Sequence, residues 1–212
     1  DTWWPVLDQK APSRKQILHI IDEEKRPKEE GNGVAKICQQ DALEWLESCP
    51  ESDLLLTDPP YSTDVDDIAS FASDWLGKAL QRMKPSGRVL VFVGAYADEL
   101  AAYCSIDLPD GWRWGVPHAW VYRNTIGPTS DHDFIRNWQF VISAIGPDAK
   151  PMRTQRINDL LAGFIENAPD GRQGVKHHKW EKPVELCKRL ISATTDPGGV
   201  IIDPFAGSGT VL

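Results

Sequence analysis

Residues 53–61 read Asp-Leu-Leu-Leu-Thr-Asp-Pro-Pro-Tyr, and residues 199–210 read Gly-Val-Ile-Ile-Asp-Pro-Phe-Ala-Gly-Ser-Gly-Thr. Each is a short apolar run that stops at an aspartate followed by proline. Apolar runs of this length bounded by turn residues are the mark of strands buried on both faces. Outward from them the pattern alternates. Val34–Cys38 predicts a short strand and Ala42–Leu46 the start of a helix. Apolar residues at helical spacing (Ile68, Phe71, Trp75, Leu76, Ala79, Leu80, Met83) predict a helix over 69–83. Lys84-Pro85-Ser86-Gly87 reads as its stop, and Arg88–Val93 as another buried strand. Ala119–Arg123 and Gln139–Ile145 predict two further strands joined by a polar loop, and residues 183–193 a helix before the last strand at 199–203. Strands alternating with helices predict an α/β fold, a mostly parallel sheet with an antiparallel hairpin and helices on both faces.

In open α/β sheets ligands bind outside the carboxyl ends of the strands, which is where both motifs fall. Asp58 offers a carboxylate. Pro59 and Pro60 fix the backbone and carry no N–H to compete for its carbonyls. Tyr61 adds an aromatic face. Two acceptors side by side with a stacking ring suit a planar base bearing an amine. In the second motif Gly207 and Gly209 let a ligand approach the backbone closely as the chain leaves the strand. A site at a strand end stands outside the core, so Asp58 should be replaceable with little loss of stability.

Composition narrows the class. The chain has 212 residues, 41% hydrophobic and 25% charged, ordinary for a globular protein. Its longest apolar run, residues 89–97, falls far short of the roughly 20 residues that span a bilayer. The start of the chain carries no secretory signal pattern. Cys38, Cys49, Cys104 and Cys187 include no C-x-x-C pair, and His177-His178 is the one histidine pair, so neither a disulfide framework nor a metal site is expected. Residues 1–80 hold 8 basic and 17 acidic side chains, whereas residues 148–190 hold 9 basic and 6 acidic. If a nucleic acid is the partner, contact is expected to concentrate in 150–190, with Arg153, Arg156, Arg172, Lys176 and Lys179 as candidates for phosphate contact and a solvated face as the alternative. Trp120, Tyr122 and Trp138 read as core packing. A helix is predicted from Ser13 to Lys25, with Gly31-Asn32-Gly33 as a turn.

With these residues in hand the sequence resembles the DNA amino-methyltransferases of the circularly permuted β class. Asp58-Pro59-Pro60-Tyr61 is similar to their catalytic motif. The stretch Asp203-Pro204-Phe205-Ala206-Gly207-Ser208-Gly209 is similar to their S-adenosylmethionine loop, and the order, catalytic motif first, is that of the class. Residues 35–46 resemble the family's opening strand and helix, residues 84–93 its Lys-Pro-Gly-Gly turn and strand, and His178-Lys179-Trp180-Glu181-Lys182-Pro183 its His-Pro-Thr-x-Lys-Pro segment, with Trp180 in place of the usual threonine.

The resemblance implies a Rossmann-like methyltransferase domain over 34–212 behind an N-terminal extension, 1–33. Within it fall a catalytic half (34–147), a short target-recognition insert (148–176) and a cofactor segment (177–212). It implies methyl transfer from S-adenosylmethionine to the N6 amine of a flipped-out adenine in DNA, with Asp58, Pro59, Pro60 and Tyr61 catalytic. Asp41 would meet the cofactor's adenine, and His178, Lys182, Asp203, Pro204, Phe205, Gly207, Ser208, Gly209 and Thr210 would complete the pocket, Lys182 near the methionine end. The alternatives are N4 of cytosine, or a non-catalytic scaffold of the same fold. A bacterial or phage-encoded cytoplasmic protein of a restriction-modification type is implied. In the family the next strand carries a ribose-binding acid, and the sequence stops at Leu212 before it. The resemblance therefore implies a truncated chain whose cofactor site is completed by further residues, a second copy or a partner subunit.

Overall fold

A computed structural model describes residues 15–16, 35–123, 134–152, 163–165, 181–207 and 209–211. In chain order the elements are β1 (Lys15–Gln16), β2 (Gln40–Asp41), α1 (Ala42–Leu46), β3 (Ser52–Thr57), α2 (Ile68–Leu80), β4 (Met83–Val93), α3 (Ala97–Cys104), β5 (Arg113–Trp114), β6 (His118–Val121), β7 (Trp138–Ile145), β8 (Gly163–Ile165), α4 (Val184–Thr194) and β9 (Ile201–Ile202). The main sheet runs β8-β6-β7-β4-β3-β9, with β5 also paired to β7. Strand β3 is parallel to both β4 and β9, and β6 is parallel to β8. Strand β7 is antiparallel to β4, β5 and β6. The expected α/β architecture is present, and its antiparallel part is larger than a single hairpin.

The apolar runs are continuous because both faces of the sheet are covered. Leu55, Val89, Val91 and Val93 turn one way, into a core shared with Trp45, Leu46, Trp75, Leu76 and Tyr103 of α1, α2 and α3. Leu54, Leu56, Leu90 and Phe92 turn the other way, onto Leu186, Cys187 and Leu190 of α4 and onto Trp120 and Tyr122. This is the two-residue period of a strand working on two cores at once. Burial of each large side chain contributes about 1.5–3 kcal/mol.

Several local expectations are corrected. Lys84–Gly87 does not end a helix. It lies inside β4, where the pairing jumps from Ser52–Met83 to Leu54–Arg88, so the extra residues bulge out of the strand. Gly87 is required there, since a Cβ would lie 2.9 Å from the Lys84 carbonyl oxygen. The helix α2 stops at Leu80 and is capped at its start by Asp67, whose carboxylate accepts from the amides of Ala69 and Ser70, both at 3.0 Å. No strand forms over 35–38; Ile37 is exposed, and only Gln40–Asp41 pairs, with β1. Lys15–Gln16 is thus a strand within the span expected to be helical, the rest of which lies outside the described residues.

Away from the motif ends, Asp53 fastens three strands. Its carboxylate accepts from Lys84 Nζ of β4, at 2.8 and 3.0 Å, and from the Val200 amide leading into β9, at 2.8 Å. All four cysteines are free thiols, with Cys49 and Cys187 buried. Among the described residues no helix is long and apolar enough to cross a membrane.

Candidate active site

Strands β3 and β9 are parallel neighbours in register, Leu54 beside Ile201 and Leu55 beside Ile202. Their carboxyl ends, and so Asp58 and Asp203, therefore emerge at one edge of the sheet. The last side chain of β3 joins them: Thr57 Oγ1 donates to Asp203 Oδ1 at 2.6 Å. The same oxygen accepts from the Phe205 amide at 3.0 Å, which starts the turn into the glycine loop. Asp203 is 2% exposed. Burial lifts its carboxyl to about 7, against the two hydrogen bonds that favour the anion.

Asp58 is the centre of a second, tighter group. Lys182, just ahead of α4, sets its ammonium on Asp58 Oδ2. The Tyr61 hydroxyl donates to Asp58 Oδ1 at 2.5 Å, and Lys182 Nζ donates to that hydroxyl oxygen at 3.0 Å. Lys182's side chain is only 7% exposed while that of Asp58 is 27% exposed, so the carboxylate faces outward and its partner sits behind it. The ammonium lies 5.3 Å from the centre of the Phe92 ring, 5.6 Å from that of Tyr61 and 5.8 Å from that of Trp120, distances at which aromatic faces stabilise a cation. The Tyr61 hydroxyl is pushed well above the usual phenol range, by burial first and then by the Asp58 carboxylate. It is a neutral donor throughout the physiological range.

The loop after the first motif closes on itself. The Tyr61 amide donates to Asp64 Oδ2 at 3.1 Å and the Asp64 amide to the Tyr61 carbonyl at 2.8 Å. The Pro59 ring is buried, which holds the backbone of the motif against the sheet edge. In the second motif Gly207 and Gly209 adopt φ of +52° and +80°, the left-handed region that favours glycine. The Gly209 amide donates to the Ala206 carbonyl at 2.7 Å and closes the turn.

The structure thus gathers Asp58, Tyr61, Lys182 and the Asp203–Gly209 loop at one sheet edge. It gives some expected pocket residues other duties. Phe205 packs edge-on against Trp75, centroids 5.1 Å apart, and so anchors the loop in the core. Asp41 Oδ1 caps α1 through the Leu43 amide at 2.9 Å. Pro60 and Thr210 are half-buried and Pro204 is buried. Trp120 and Tyr122 are buried, as expected of core aromatics, and the Trp120 ring also walls in Lys182. His178, Ser208, Arg153, Arg156, Arg172, Lys176 and Lys179 lie outside the described residues. One residue at this edge went unnoticed in the sequence. Glu99 of α3 is fully buried and bonded to the backbone just after Tyr61; its only signal was an acid five residues beyond a strand-ending glycine.

Residues 52–212 match the N6/N4 methyltransferase model described as DNA methylase. The chain is 27% identical over 206 residues to the Type II methyltransferase M.HpaI of Haemophilus parainfluenzae, covering 82% of this chain but only 64% of that relative's length. Its fold is similar to that of the M1.HpyAVI complex with SAM, with a TM-score of 0.60 at 19% identity, covering 80% and 81% of the two chains. It is also similar to the PvuII DNA methyltransferase described as cytosine-N4-specific, with a TM-score of 0.63 at 16% identity, covering 81% and 74%. The mostly parallel α/β sheet is of the kind seen in those two solved structures. The chain belongs to the N6/N4 DNA methylase family.

Proposed function

We propose that this chain transfers a methyl group from S-adenosylmethionine to the exocyclic N6 amine of adenine in DNA. The observation that carries the reading is the placement of the Asp58 carboxylate, backed by buried Lys182, at the carboxyl end of β3, beside the glycine loop that follows β9.

The loop fits a cofactor that must lie close against the backbone. Among the described residues, a Cβ built on Gly207 would meet only the Phe205 carbonyl oxygen, at 3.9 Å, so none of them fills that side of the turn. Residues 203–209 would hold S-adenosylmethionine, with His178 and Asp41 as further proposed contacts. When bound, it would supply a methyl group on a sulfonium, and an amine bonding to that methyl carbon would release the sulfur as a neutral thioether.

The rest is the work of this chain's residues. The amine of adenine is a poor nucleophile because its lone pair is delocalised into the ring. Asp58 and the Pro59 carbonyl would accept its two N–H bonds, which favours a pyramidal nitrogen and frees the lone pair. Asp58 Oδ1 accepts from the Tyr61 hydroxyl and Oδ2 from Lys182, and since a carboxylate oxygen accepts two hydrogen bonds an entering amine would share Oδ1 while Lys182 keeps Oδ2 in place. The Tyr61 ring is then available to stack on the base, a contact worth about 1–3 kcal/mol. Asp58 also stands where the proton shed by the amine can be taken up. The reaction is direct, so catalysis rests on positioning and electrostatics. A base within a duplex cannot reach such a site, so the nucleotide must be flipped out. Arg153, Arg156, Arg172, Lys176 and Lys179 are the proposed phosphate contacts.

A second reading, transfer to N4 of cytosine, is favoured by the likeness to the PvuII enzyme's fold. Asp58 at the first motif position supports adenine. Incubation with unmethylated DNA and labelled S-adenosylmethionine, followed by nucleoside digestion, tests both. Label in N6-methyladenine is expected, label in N4-methylcytosine would favour the second reading, and no label would sink the enzyme assignment.

A further inference from the structure

Glu99 is 0% exposed although it carries a carboxylate. Both of its oxygens accept from backbone. Oε1 takes the Gly94 amide at 2.5 Å, and Oε2 the Ser62 amide at 3.0 Å. Gly94 directly follows the last residue of β4, and Ser62 directly follows Tyr61. One side chain from α3 therefore ties the turn carrying Asp58 and Tyr61 to the end of the neighbouring strand. A buried anion is costly unless it is well bonded, so a carboxylate kept here must satisfy a need that a neutral residue would not. That need is visible in the donors. Two N–H groups point at two separate atoms, and an amide could accept only one, turning its own NH2 against the other.

The fit is mutual. A Cβ on Gly94 would come within 2.9 Å of Glu99 Oε2, 3.2 Å of Oε1 and 3.0 Å of Tyr96 Cδ2. The carboxylate occupies the space that only glycine leaves open.

We propose that Glu99 is a positioning residue for methyl transfer, fixing where Asp58 and Tyr61 stand relative to the ends of β3 and β4 and thereby setting kcat, without touching base or cofactor. This rests on the methyl-transfer reading above. A displacement of about 1 Å at a reacting site lowers rate by roughly a hundredfold, whereas uniform binding is unaffected by it. Two variants probe the tie in different ways. Glu99→Gln removes one acceptor, and Gly94→Ala keeps the carboxylate but pushes it aside.

In both, kcat for methyl transfer should fall by about ten- to a hundredfold, with the Kd for S-adenosylmethionine and the KM for DNA held within about threefold. Measurements well below each variant's Tm separate this from loss of fold. A purely structural Glu99 would lower Tm and leave kcat unchanged, and that result overturns the proposal. Hydrogen exchange on the wild-type chain gives a test that needs no variant. The Ser62 and Gly94 amides should be protected, and exchange at the rate of exposed loop amides would overturn the tie itself. Wild-type protein that transfers no methyl group would instead overturn the underlying reading, an outcome distinct from wild-type transfer with unchanged kcat in the variants.

Discussion

The ammonium of Lys182 and the carboxylate of Asp58 form an ion pair across 124 residues of sequence, with the lysine inside a wall of Tyr61, Phe92 and Trp120 and the aspartate at its mouth. The pair links the two halves of the chain at the point where the chemistry is proposed. We propose that Lys182 orients Asp58, in addition to the place near the methionine end of the cofactor that the resemblance implies. Lys182→Met keeps most of the side chain's volume and removes the charge. It should lower kcat for methyl transfer by at least about tenfold, the scale of losing one preorganised electrostatic contact. Steady-state kinetics check this, and activity equal to wild type would exclude the orienting role.

The same pair changes what Asp58→Ala should do. A residue at a strand end is expected to be removable at little cost, yet here its removal strands an ammonium that is only 7% exposed. Asp58→Ala should abolish methyl transfer and also lower stability by about 1–3 kcal/mol, the penalty for a buried group left without its partner. Asp58→Asn, which keeps an oxygen toward Lys182, should lose activity with a smaller loss of stability. Denaturant unfolding of the three proteins reads the difference, and identical midpoints would show that the pair contributes nothing.

At Gly207 the backbone sits at φ +52°. Valine there costs about 1–2 kcal/mol for the left-handed conformation and fills the open side of the loop. Calorimetric titration should show no binding of S-adenosylmethionine to Gly207→Val while its far-UV spectrum stays that of wild type. Binding within a few-fold of wild type would place the cofactor elsewhere.

Asp203 gives a pH signature. Burial raises its carboxyl from the ordinary 3.8 to about 7, so the folded state holds this proton more tightly than the unfolded chain. The stability linked to that proton is complete below about pH 4 and is lost as pH rises toward and through 7. Asp203→Asn keeps an acceptor for Thr57 and Phe205 but has no proton to lose. Its Tm relative to wild type should therefore rise between pH 4 and 8. Parallel Tm curves for the two proteins over that range would contradict the buried-carboxyl account.

How much of this could be read beforehand follows from what each residue interacts with. The strands β3, β4 and β7 were legible because two cores demand unbroken apolar runs, and Asp58 and Asp203 because they stand at the ends of such runs. The helix α3 was hidden. The apolar run of β4 continues through Gly94 and Ala95 into its first turn, and eight residues give little periodicity to read. Lys84–Gly87 looked like a stop because proline and glycine usually are one, and only the parallel partner β3 shows that the segment bulges within a strand. The contacts that build the site, Lys182 with Asp58 and Glu99 with Ser62, span 124 and 37 residues. No local pattern encodes a pairing of that range.

The most direct test of the central claim, that Asp58 presents the amine of adenine for methylation, is a single-turnover reaction of wild-type and Asp58→Ala protein with labelled S-adenosylmethionine and duplex DNA, digested to nucleosides. The account predicts label in N6-methyladenine from wild type and none from the variant. Label that persists in the variant to within tenfold of wild type, or that appears only in N4-methylcytosine, would contradict it.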